Sequence, residues 1–589
     1  MNKSSLFTDN YITNVKPATM VIHEKPTLSH SNISQNEQEQ PFLYWRHFSF
    51  RKLWVFTGPG FLMSIAYLDP GNIESDLRSG SLAQYHLLWV LLLSTILGLI
   101  FQRLAIRLGV VTGQDLAECC GKFYKPIPKY LTWVCIEIAI IGSDMQEVVG
   151  TAIAFYLLSA GKIPLYVGVL LTIVDTLTFL CLDRYGLRKL ELLFGTLIGV
   201  MAISFGYHYV IIKPNQAKLI TGLFTPSCGD CSQRVILQAV GIVGAVVMPH
   251  NLYLHSALVK TPRGILTNGS SLGMKQANFY HLVEAAIALT CSLIINLFVT
   301  SVFAETLYGS TNSHVRAYCF NSTSVFPGAR NLFPSDESPV KVDLFRGAVF
   351  LGCRFGPPSL YIWAVGLLAA GQSSTMTGTL SGQYVMQGFL NLRWSRAKRV
   401  ALTRCIAILP TLILALNEDI DSLTGMNDAL NALQSFQLPF ALVPLLTFTS
   451  LPTIMGSTFV NSVVNKMFVG VVSCLVLAIN FYFTSTIIRS LSDKSWWILA
   501  IVYILLILYV SFLTYLCYYS IFSLARISFD LNLINNIRSI KIKDTFKFMV
   551  CCALKPSEPL KNPIIDEDFL DKNYNENLGR RNDSSESSI

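Results

Sequence analysis

Apolar stretches of roughly 20 residues, nearly free of charge, recur along most of this chain, and with their flanks each can cross a hydrocarbon core of ~30 Å. Hydrophobic residues make up 52% of the chain and charged residues 14%, whereas ordinary soluble domains carry about 25% charged residues. With weaker segments included, the pattern predicts about twelve spans and hence an all-α polytopic membrane protein. The clearest stretches are 87–101, 163–181, 193–212, 285–303, 467–483 and 496–521.

The two ends of the chain differ from this membrane domain. Residues 1–45 are polar, rich in Asn, Ser, Thr and Gln, and lack the apolar region of a cleavable signal peptide. The chain closes in DEDFLDKNYNENLGRRNDSSESSI, which is too polar to build a core. We therefore predict a disordered N-terminal tail (1–49), a transmembrane domain (50–523) and a C-terminal tail (524–589).

Basic residues mark one side of the predicted bundle. They cluster before the first predicted span and after the second, fourth, eighth and last ones, which share one side if there are twelve spans. By the positive-inside rule that side, with both termini, is cytosolic. The net charge of +9 is then explained by topology and contact with membrane lipids, and no feature points to nucleic acid. The sequence leaves open whether the membrane is plasma or endosomal–lysosomal.

Other motifs mark the opposite side. Asn321, in NSTS, is a glycosylation acceptor in a long polar loop that the span count places outside. Asn268, in NGSS, matches the same motif but falls on the cytosolic side, where it would stay unmodified. Four cysteines in or beside outside loops are candidates for disulfides, with a zinc site at CGDC as the weaker alternative: Cys228, Cys231, Cys319 and Cys353.

Two predicted spans contain sequences that should interrupt a helix. In YLDPGNIESD, Asp69 brings a charge that costs roughly 2.5–3.5 kcal/mol at the centre of a span, and Pro70 frees backbone carbonyls. In GAVVMPHNLYLHS, Pro249 interrupts the sixth span directly after Met248. Breaks in the first and sixth spans, five apart, indicate a five-plus-five inverted repeat that binds its substrate near the bilayer midplane.

The residues at the two breaks offer a mixed set of metal ligands. At the first break, Asp69 supplies an anionic oxygen, Asn72 a neutral one, and the opened turn the carbonyl of Ala66. At the second break, Met248 adds a thioether and Ala245 a carbonyl. Oxygen ligands alone would suit Mg²⁺ or Ca²⁺, whereas a thioether shifts the preference toward transition metals such as Fe²⁺ or Mn²⁺. The alternative role for the methionine is core packing.

Four motifs together resemble the Nramp family of proton-coupled divalent metal transporters: DPGN, MPHNLYLHS, GQSSTMTGTLSGQYVMQGF and LTGMNDALNALQSFQLPFALVPLLTFTS. The resemblance, closest in the last motif to the animal divalent metal transporter branch, runs from Phe50 to Tyr519. It implies a LeuT-like fold for the first ten spans, followed by two added C-terminal helices. It also implies symport of Fe²⁺ and Mn²⁺, with Co²⁺ and Cd²⁺ as further ions, into the cytosol, without a bound cofactor.

The resemblance also carries the family's metal ligands onto this chain. The expected ligands are Asp69, Asn72, Met248, the carbonyls of Ala66 and Ala245, and Asn431. Asn431 occupies the place of a tenth-span glutamine found in many bacterial members. One departure is Gln387, where many animal relatives have glutamate, and it lies outside the predicted metal site.

Proton coupling needs titratable groups that respond to the metal. Asp69 is the first candidate, because a bound divalent cation favours its ionised form and releases a proton. The acidic residues of the third span are spaced seven and three apart, which places them along one helical face. These positions resemble the family's proton-conducting polar network, whose candidate members here are Glu137, Asp144, Glu147, His250 and Arg404. A structural ion pair, and for the histidine simple packing, are the alternatives.

The same residues bear on three other functions. An amino-acid transporter of this fold would need a site for an amine and a carboxylate, which Met248 beside Asp69 does not provide. A Nramp-like signalling or metal-sensing membrane protein that does not transport is the main alternative, although short tails argue against an effector domain. A membrane enzyme would need a nucleophile–base pair or a cofactor motif, and the sequence has neither. We therefore do not expect an enzyme.

Overall fold

The computed structural model describes residues 48–56, 58–182, 187–260, 271–321, 326, 329–391, 396–416, 420–491 and 496–536. Over these residues the regular structure is helical, apart from one isolated bridge between Thr311 and Pro339. The predicted all-α fold class is thus confirmed. In chain order the helices are α1 (Phe50–Phe56), α2 (Pro59–Ile65), α3 (Pro70–Ala83), α4 (Leu88–Thr112), α5 (Leu116–Phe123), α6 (Pro126–Leu158), α7 (Leu165–Leu182), α8 (Leu187–Ile212), α9 (Gln216–Phe224), α10 (Gln233–Val246), α11 (Pro249–Leu258), α12 (Ser271–Thr306), α13 (Asn312–Asn321), α14 (Ala329–Leu332), α15 (Leu344–Phe355), α16 (Pro357–Leu390), α17 (Arg396–Leu416), α18 (Ile420–Gln437), α19 (Pro439–Ser450), α20 (Pro452–Phe459), α21 (Val463–Leu491) and α22 (Trp496–Asn536).

The predicted tails lie largely outside the described residues, so the domain boundaries at 49/50 and 523/524 stay predictions. The chain divides into two compact units, one ending at Val55 and the other beginning at Phe56. The described part of the first unit holds the start of α1, where Phe50 is exposed. At the other end of the chain, α22 continues to Asn536.

Eight helical segments among the described residues are long and apolar enough to cross a membrane. Two of them, Gln233–Leu258 and Gly425–Ser450, each join two helices across a break. Two shorter apolar segments, Leu165–Val174 and Ala401–Leu416, lie in α7 and α17. The first broken span is not among the eight, because α2 and α3 are each too short. The helix α16 is long enough, but a run of serine and threonine makes it less apolar. The total of about twelve spans stays a prediction.

The first predicted break forms where α2 ends at Ile65 and α3 begins at Pro70. Asp69 is extended and caps α3, since its carboxylate accepts a hydrogen bond from the Asn72 backbone amide (3.0 Å). Aspartate is a favoured N-cap, and proline a favoured first residue because it has no N–H to satisfy. DPGN is thus a local signal that restarts a helix, and it leaves residues 66–69 outside either helix.

The second predicted break forms where α10 ends at Val246 and α11 begins at Pro249. Met248 is extended, which is the conformation that a residue before proline prefers. Just before this break, Gly244 lies so close to the Asn431 backbone carbonyl that a Cβ atom would overlap it. Glycine therefore allows α10 to approach α18 at the level of the break.

A third interruption, which the sequence analysis did not predict, separates α18 from α19 at Pro439. Proline cannot donate the hydrogen bond that would satisfy the carbonyl of Ser435, four residues earlier. The Leu438 amide donates to this carbonyl instead, at 3.3 Å, and Asn480 of α21 adds a shorter hydrogen bond from its Nδ2 (2.8 Å), while the Ser435 hydroxyl donates to Asn480 Oδ1 (2.6 Å). Side chains of another helix thus help to satisfy the backbone at this bend.

Buried side chains form two main clusters around the broken helices. One joins α2, α4, α11, α16 and α19, and includes Leu62, Phe101, Tyr253, Phe389 and Phe440. The other joins α3, α8, α12 and α16, and includes Leu77, Phe205, Phe303 and Trp363. Each half-helix next to a break is therefore packed against helices that are distant in sequence.

The loop predicted to lie outside contains structure of its own. Cys319 of α13 and Cys353 of α15 form a disulfide, and so do Cys228 and Cys231. The latter pairing leaves no thiolate in CGDC for the alternative zinc site. Asn321 is the last residue of α13, and its glycosylation stays a prediction. Asn268 lies outside the described residues.

Candidate metal site

The carboxylate of Asp69 is fully buried at the first break, and it is only half satisfied. Oδ1 accepts hydrogen bonds from the backbone amide (3.0 Å) and the side-chain amide (2.7 Å) of Asn72. Oδ2 has no hydrogen-bond partner within the part of the chain that the structure describes. One anionic oxygen is therefore free to bind a cation or a proton.

The two breaks are joined by a direct contact. Asn251, in the first turn of α11, donates from Nδ2 to the carbonyl of Ala66 (3.4 Å). Ala66, Ala245 and Met248 are all buried, as the predicted ligand set requires. Asn251 itself was missed, although its place directly after MPH in MPHN could have suggested a role at the break.

Asn431 lies against the first break, where its Nδ2 faces the carbonyl of Gly71 (3.4 Å). Its Oδ1, the atom that could bind a metal, accepts a hydrogen bond from Gln146 Nε2 (2.8 Å). Gln146 in turn accepts from Gln434 Nε2 (2.9 Å). Both glutamines were missed, and only the position of Gln146 between two predicted acids, in SDMQE, could have suggested its role.

Part of the predicted proton network gathers around one guanidinium group. Arg404 Nη2 lies 3.1 Å from Glu147 Oε2 and 3.8 Å from Asp144 Oδ1, and all three side chains are buried. The hydroxyl of Ser374, in the α16 motif, donates to Glu147 Oε1 (2.7 Å). Gly378 in the same motif lets α16 approach, because a Cβ there would lie 2.7 Å from Asp144 Oδ1. Two carboxylates thus share one cation.

The other two predicted network members lie further from this cluster. Glu137 accepts a hydrogen bond from Trp133 Nε1 (2.9 Å) of its own helix. It precedes Asp144 by seven residues, which is about 10 Å along the axis of α6. The backbone carbonyl of His250 faces the Ser381 hydroxyl (3.5 Å), and its Nδ1 has no hydrogen-bond partner among the described residues.

An ion-pair cluster that the sequence analysis missed connects α3 with α18. Arg78 pairs with Asp428 and lies 3.4 Å from Glu74, one turn before it on the same helix. Asn427 donates from Nδ2 to Glu74 Oε2 (3.1 Å). The spacing of Glu74 and Arg78 in ESDLR indicated an intrahelical pair, but not the partner from α18.

A second unpredicted contact fixes the start of α2. The backbone amide of Gly58 donates to Glu284 Oε1 of α12 (2.5 Å), and His281 lies 3.4 Å from the other oxygen of this carboxylate. Phe56 stacks on Tyr280 and meets the His281 ring edge-on. A buried carboxylate is thus held at the N-terminal end of the half-helix that leads to the metal site.

Residues 60–486 match the family model described as natural resistance-associated macrophage protein-like, Nramp. This chain belongs to the Nramp family. Human natural resistance-associated macrophage protein 2 is 58% identical over 455 residues, which cover 77% of this chain and 79% of that protein. Human natural resistance-associated macrophage protein 1 is 58% identical over 453 residues, 77% of this chain and 82% of that protein. The resemblance inferred from four motifs is confirmed, and Nramp proteins are membrane transporters rather than enzymes.

Solved structures agree with this assignment. A mutant of the manganese transporter of Eremococcus coleocola is 28% identical to this Nramp protein, with a TM-score of 0.68 over 84% of this chain and 98% of that one. The same transporter bound to an aromatic bis-isothiourea compound has a TM-score of 0.68 and 28% identity, over 85% and 100%. The expected LeuT-like fold is confirmed, and the comparisons support divalent metal transport as the class of function.

Proposed function

We propose that this Nramp protein is a symporter that carries divalent transition-metal ions, Fe²⁺ and Mn²⁺ as well as Co²⁺ and Cd²⁺, into the cytosol together with protons. The observation that carries the proposal is the free oxygen of Asp69, a buried carboxylate atom without a hydrogen-bond donor at a break between two half-helices. Such a group is unstable in a protein interior unless it binds a cation or a proton. Asp69 can therefore receive either cargo at the same atom.

The surroundings of Asp69 favour a transition metal among the cations. The proposed ligands combine the oxygens of Asp69 and Asn72 with the thioether of Met248 and the carbonyls of Ala66 and Ala245. A thioether adds little for hard cations and more for softer ones. In the structure, the Oδ1 atom of Asn431 accepts a hydrogen bond from Gln146. Asn431 would therefore join the ligand set only after this hydrogen bond breaks.

The buried ion-pair cluster provides a place for the proton. Asp144 and Glu147 together carry one more negative charge than Arg404 can neutralise, so the cluster can hold one proton without an uncompensated positive charge. Gln146, which contacts Asn431, is the residue directly before Glu147 on α6. We infer that metal binding displaces the proton of Asp69 toward the cluster of Asp144, Glu147 and Arg404, so that the proton and the metal ion follow different paths.

The remaining parts of the proposal concern the membrane. We propose that both termini face the cytosol, that lipids surround the exposed apolar helix faces, and that a glycan on Asn321 faces the other side. The basic clusters at predicted span ends support this orientation. Both the plasma membrane and endosomal or lysosomal membranes agree with it, since each has a cytosolic face.

Transport by purified protein in liposomes tests the proposal and its main alternative. Radioactive Mn²⁺ is supplied outside at acidic or neutral pH, and a dye reports the internal pH. We expect uptake that is faster from the acidic side and that acidifies the interior, and neither effect with Asp69→Asn. Metal binding without uptake would favour a metal-sensing membrane protein, and uptake without internal acidification would refute proton coupling.

A further inference from the structure

A second buried carboxylate, on α3, has one oxygen atom without a hydrogen-bond partner among the described residues, as Asp69 does. Asp76 follows Asp69 by seven residues, which places it about 10 Å further along the helix axis. It is 3% exposed, and its Oδ2 has no hydrogen-bond partner in the described part of the chain. Glu74 and Arg78, which pair with each other, lie on the other side of α3 because each is two residues away. The nearby cation, Arg78, thus pairs with Glu74 and Asp428 rather than with Asp76.

The helix opposite Asp76 presents oxygen atoms that are also unpartnered. Asn296 and Thr300 of α12 are one turn apart and share a face. Asn296 donates from Nδ2 to the carbonyl of Tyr67 (3.4 Å), while its Oδ1 has no hydrogen-bond partner among the described residues. Thr300, whose backbone lies against Gly80 one turn beyond Asp76, has a hydroxyl without a hydrogen-bond partner among the described residues. Both α12 side chains are at most 2% exposed.

Close packing holds these groups against each other. A Cβ atom on Gly80 would overlap the backbone carbonyl of Thr300, so α3 and α12 touch one turn beyond Asp76. At the other end, the contact between Asn296 and Tyr67 ties α12 to the first break. The unpartnered oxygens therefore belong to buried side chains along the contact between α3 and α12.

We propose that Asp76, Asn296 and Thr300 form a second cation site, for a hard monovalent cation such as Na⁺, between α3 and α12. The ligands are a single carboxylate, a side-chain carbonyl and a hydroxyl, without sulfur or nitrogen. Oxygen ligands select hard cations. One negative charge among otherwise neutral donors matches one positive charge, so the site is neutral when a monovalent cation is bound.

The two sites on α3 are close enough to affect each other. When Na⁺ neutralises Asp76, it removes part of the negative potential that attracts a divalent ion to Asp69. Na⁺ should therefore weaken metal binding, and by thermodynamic reciprocity the metal should weaken Na⁺ binding. This consequence rests on the proposed transport function, whereas Na⁺ binding itself does not.

Equilibrium binding of radioactive Na⁺ to the purified full chain tests the site directly, in metal-free buffer with N-methylglucamine holding the ionic strength constant. We expect saturable binding by the parent, loss of binding in Asp76→Asn, and weaker binding in Thr300→Val, which removes an oxygen but keeps the charge. Glu74→Gln is the matched control, because it neutralises another buried acid of α3 and should bind Na⁺ as the parent does. Absence of Na⁺ binding by the parent, or equal binding by Asp76→Asn, overturns the proposal.

Two further readouts separate the possible failures. Na⁺ should raise the parent's thermal unfolding midpoint but not that of a folded, monodisperse Asp76→Asn. In liposomes, replacing N-methylglucamine by Na⁺ should raise the KM for Mn²⁺ about fivefold, the lower end of typical coupling between sites, and only in chains with Asp76. No Mn²⁺ uptake by the parent would contradict the transport proposal alone. If the parent binds no Na⁺ and its KM for Mn²⁺ does not change with Na⁺, then Asp76 binds only a proton.

Discussion

Asp69 and Glu147 are both buried carboxylates beside the same set of broken helices, but they differ in how many of their oxygen atoms have a partner. Both oxygens of Glu147 have partners, since Arg404 contacts one and Ser374 donates to the other. One oxygen of Asp69 has none among the described residues. A charge that the protein itself neutralises can remain buried throughout a transport cycle, whereas an unneutralised one needs an ion that arrives and leaves. The difference separates the proposed metal site from the proposed proton network.

The largest expected effect follows from removing the unpartnered charge. Asp69→Asn keeps the size of the side chain but takes away the anionic oxygen, so Mn²⁺ uptake should fall to background. Uptake by protein reconstituted at equal amounts measures this. Glu74→Gln, which changes a buried acid that already has a cationic partner, should retain most uptake. Strong transport by Asp69→Asn would remove the basis for distinguishing the two carboxylates.

Removing Arg404, the cation of the proposed proton network, should lower the stability of the fold more than it changes ion selectivity. Arg404→Gln leaves Asp144 and Glu147 buried without their shared partner, and breaking a buried pair in this way costs about 3–5 kcal/mol. We expect a clearly lower midpoint of thermal unfolding in detergent. Adding Glu147→Gln to the same chain should recover part of the loss, because one fewer charge is left unpaired. An unchanged midpoint in Arg404→Gln would mean that the cluster is already neutralised by protons.

A smaller effect should come from Met248, the soft ligand of the proposed metal site. Met248→Ala leaves the oxygen ligands in place, so Cd²⁺ should lose more affinity than Ca²⁺. A relative change of ~1.4 kcal/mol would alter their affinity ratio about tenfold. Competition of each ion against Mn²⁺ uptake measures the ratio. If Cd²⁺ competes as well as in the parent, the methionine only fills the core.

The smallest effect on transport is expected from a residue outside both regions. Asn321→Gln should remove most of the glycan from this loop and increase electrophoretic mobility, while Mn²⁺ uptake per molecule stays the same. Asn268→Gln should change neither. A mobility shift on changing Asn268 would contradict the predicted span count, because that loop would then face the glycosylating compartment.

The helix breaks were predictable because their causes are local. In DPGN and MPHN, the proline and the residue before it are neighbours in sequence, and their effects on backbone conformation need no tertiary contact. Periodicity also placed Asp144 and Glu147 on one face of α6. It could not show that Arg404 contacts this turn and that Glu137 bonds to Trp133 instead. Spacing along one helix fixes a face but not the neighbour of that face.

The unpredicted contacts between different helices are distant in sequence. Gln146 and Asn431 are 285 residues apart, and Arg78 and Asp428 are 350 residues apart. Neither pair has a local signal that specifies its partner, because the pairing depends on how two whole helices are rotated against each other. Asn431 itself entered the predicted site only through the family resemblance. Cross-helix polar contacts thus needed the structure, while the helix interruptions at DPGN and MPHN did not.

The bend between α18 and α19 has a consequence for the order in which this protein can be made. The Ser435 carbonyl, to which Pro439 cannot donate, accepts a long local hydrogen bond from the Leu438 amide (3.3 Å) and a shorter one from Asn480, which is 45 residues further along the chain. A backbone carbonyl among apolar side chains gains stability from a second, shorter hydrogen bond, so the bend is more stable once Asn480 is in place. During synthesis, the bend in the tenth span should therefore become fully stabilised only after much of the following helix has left the ribosome.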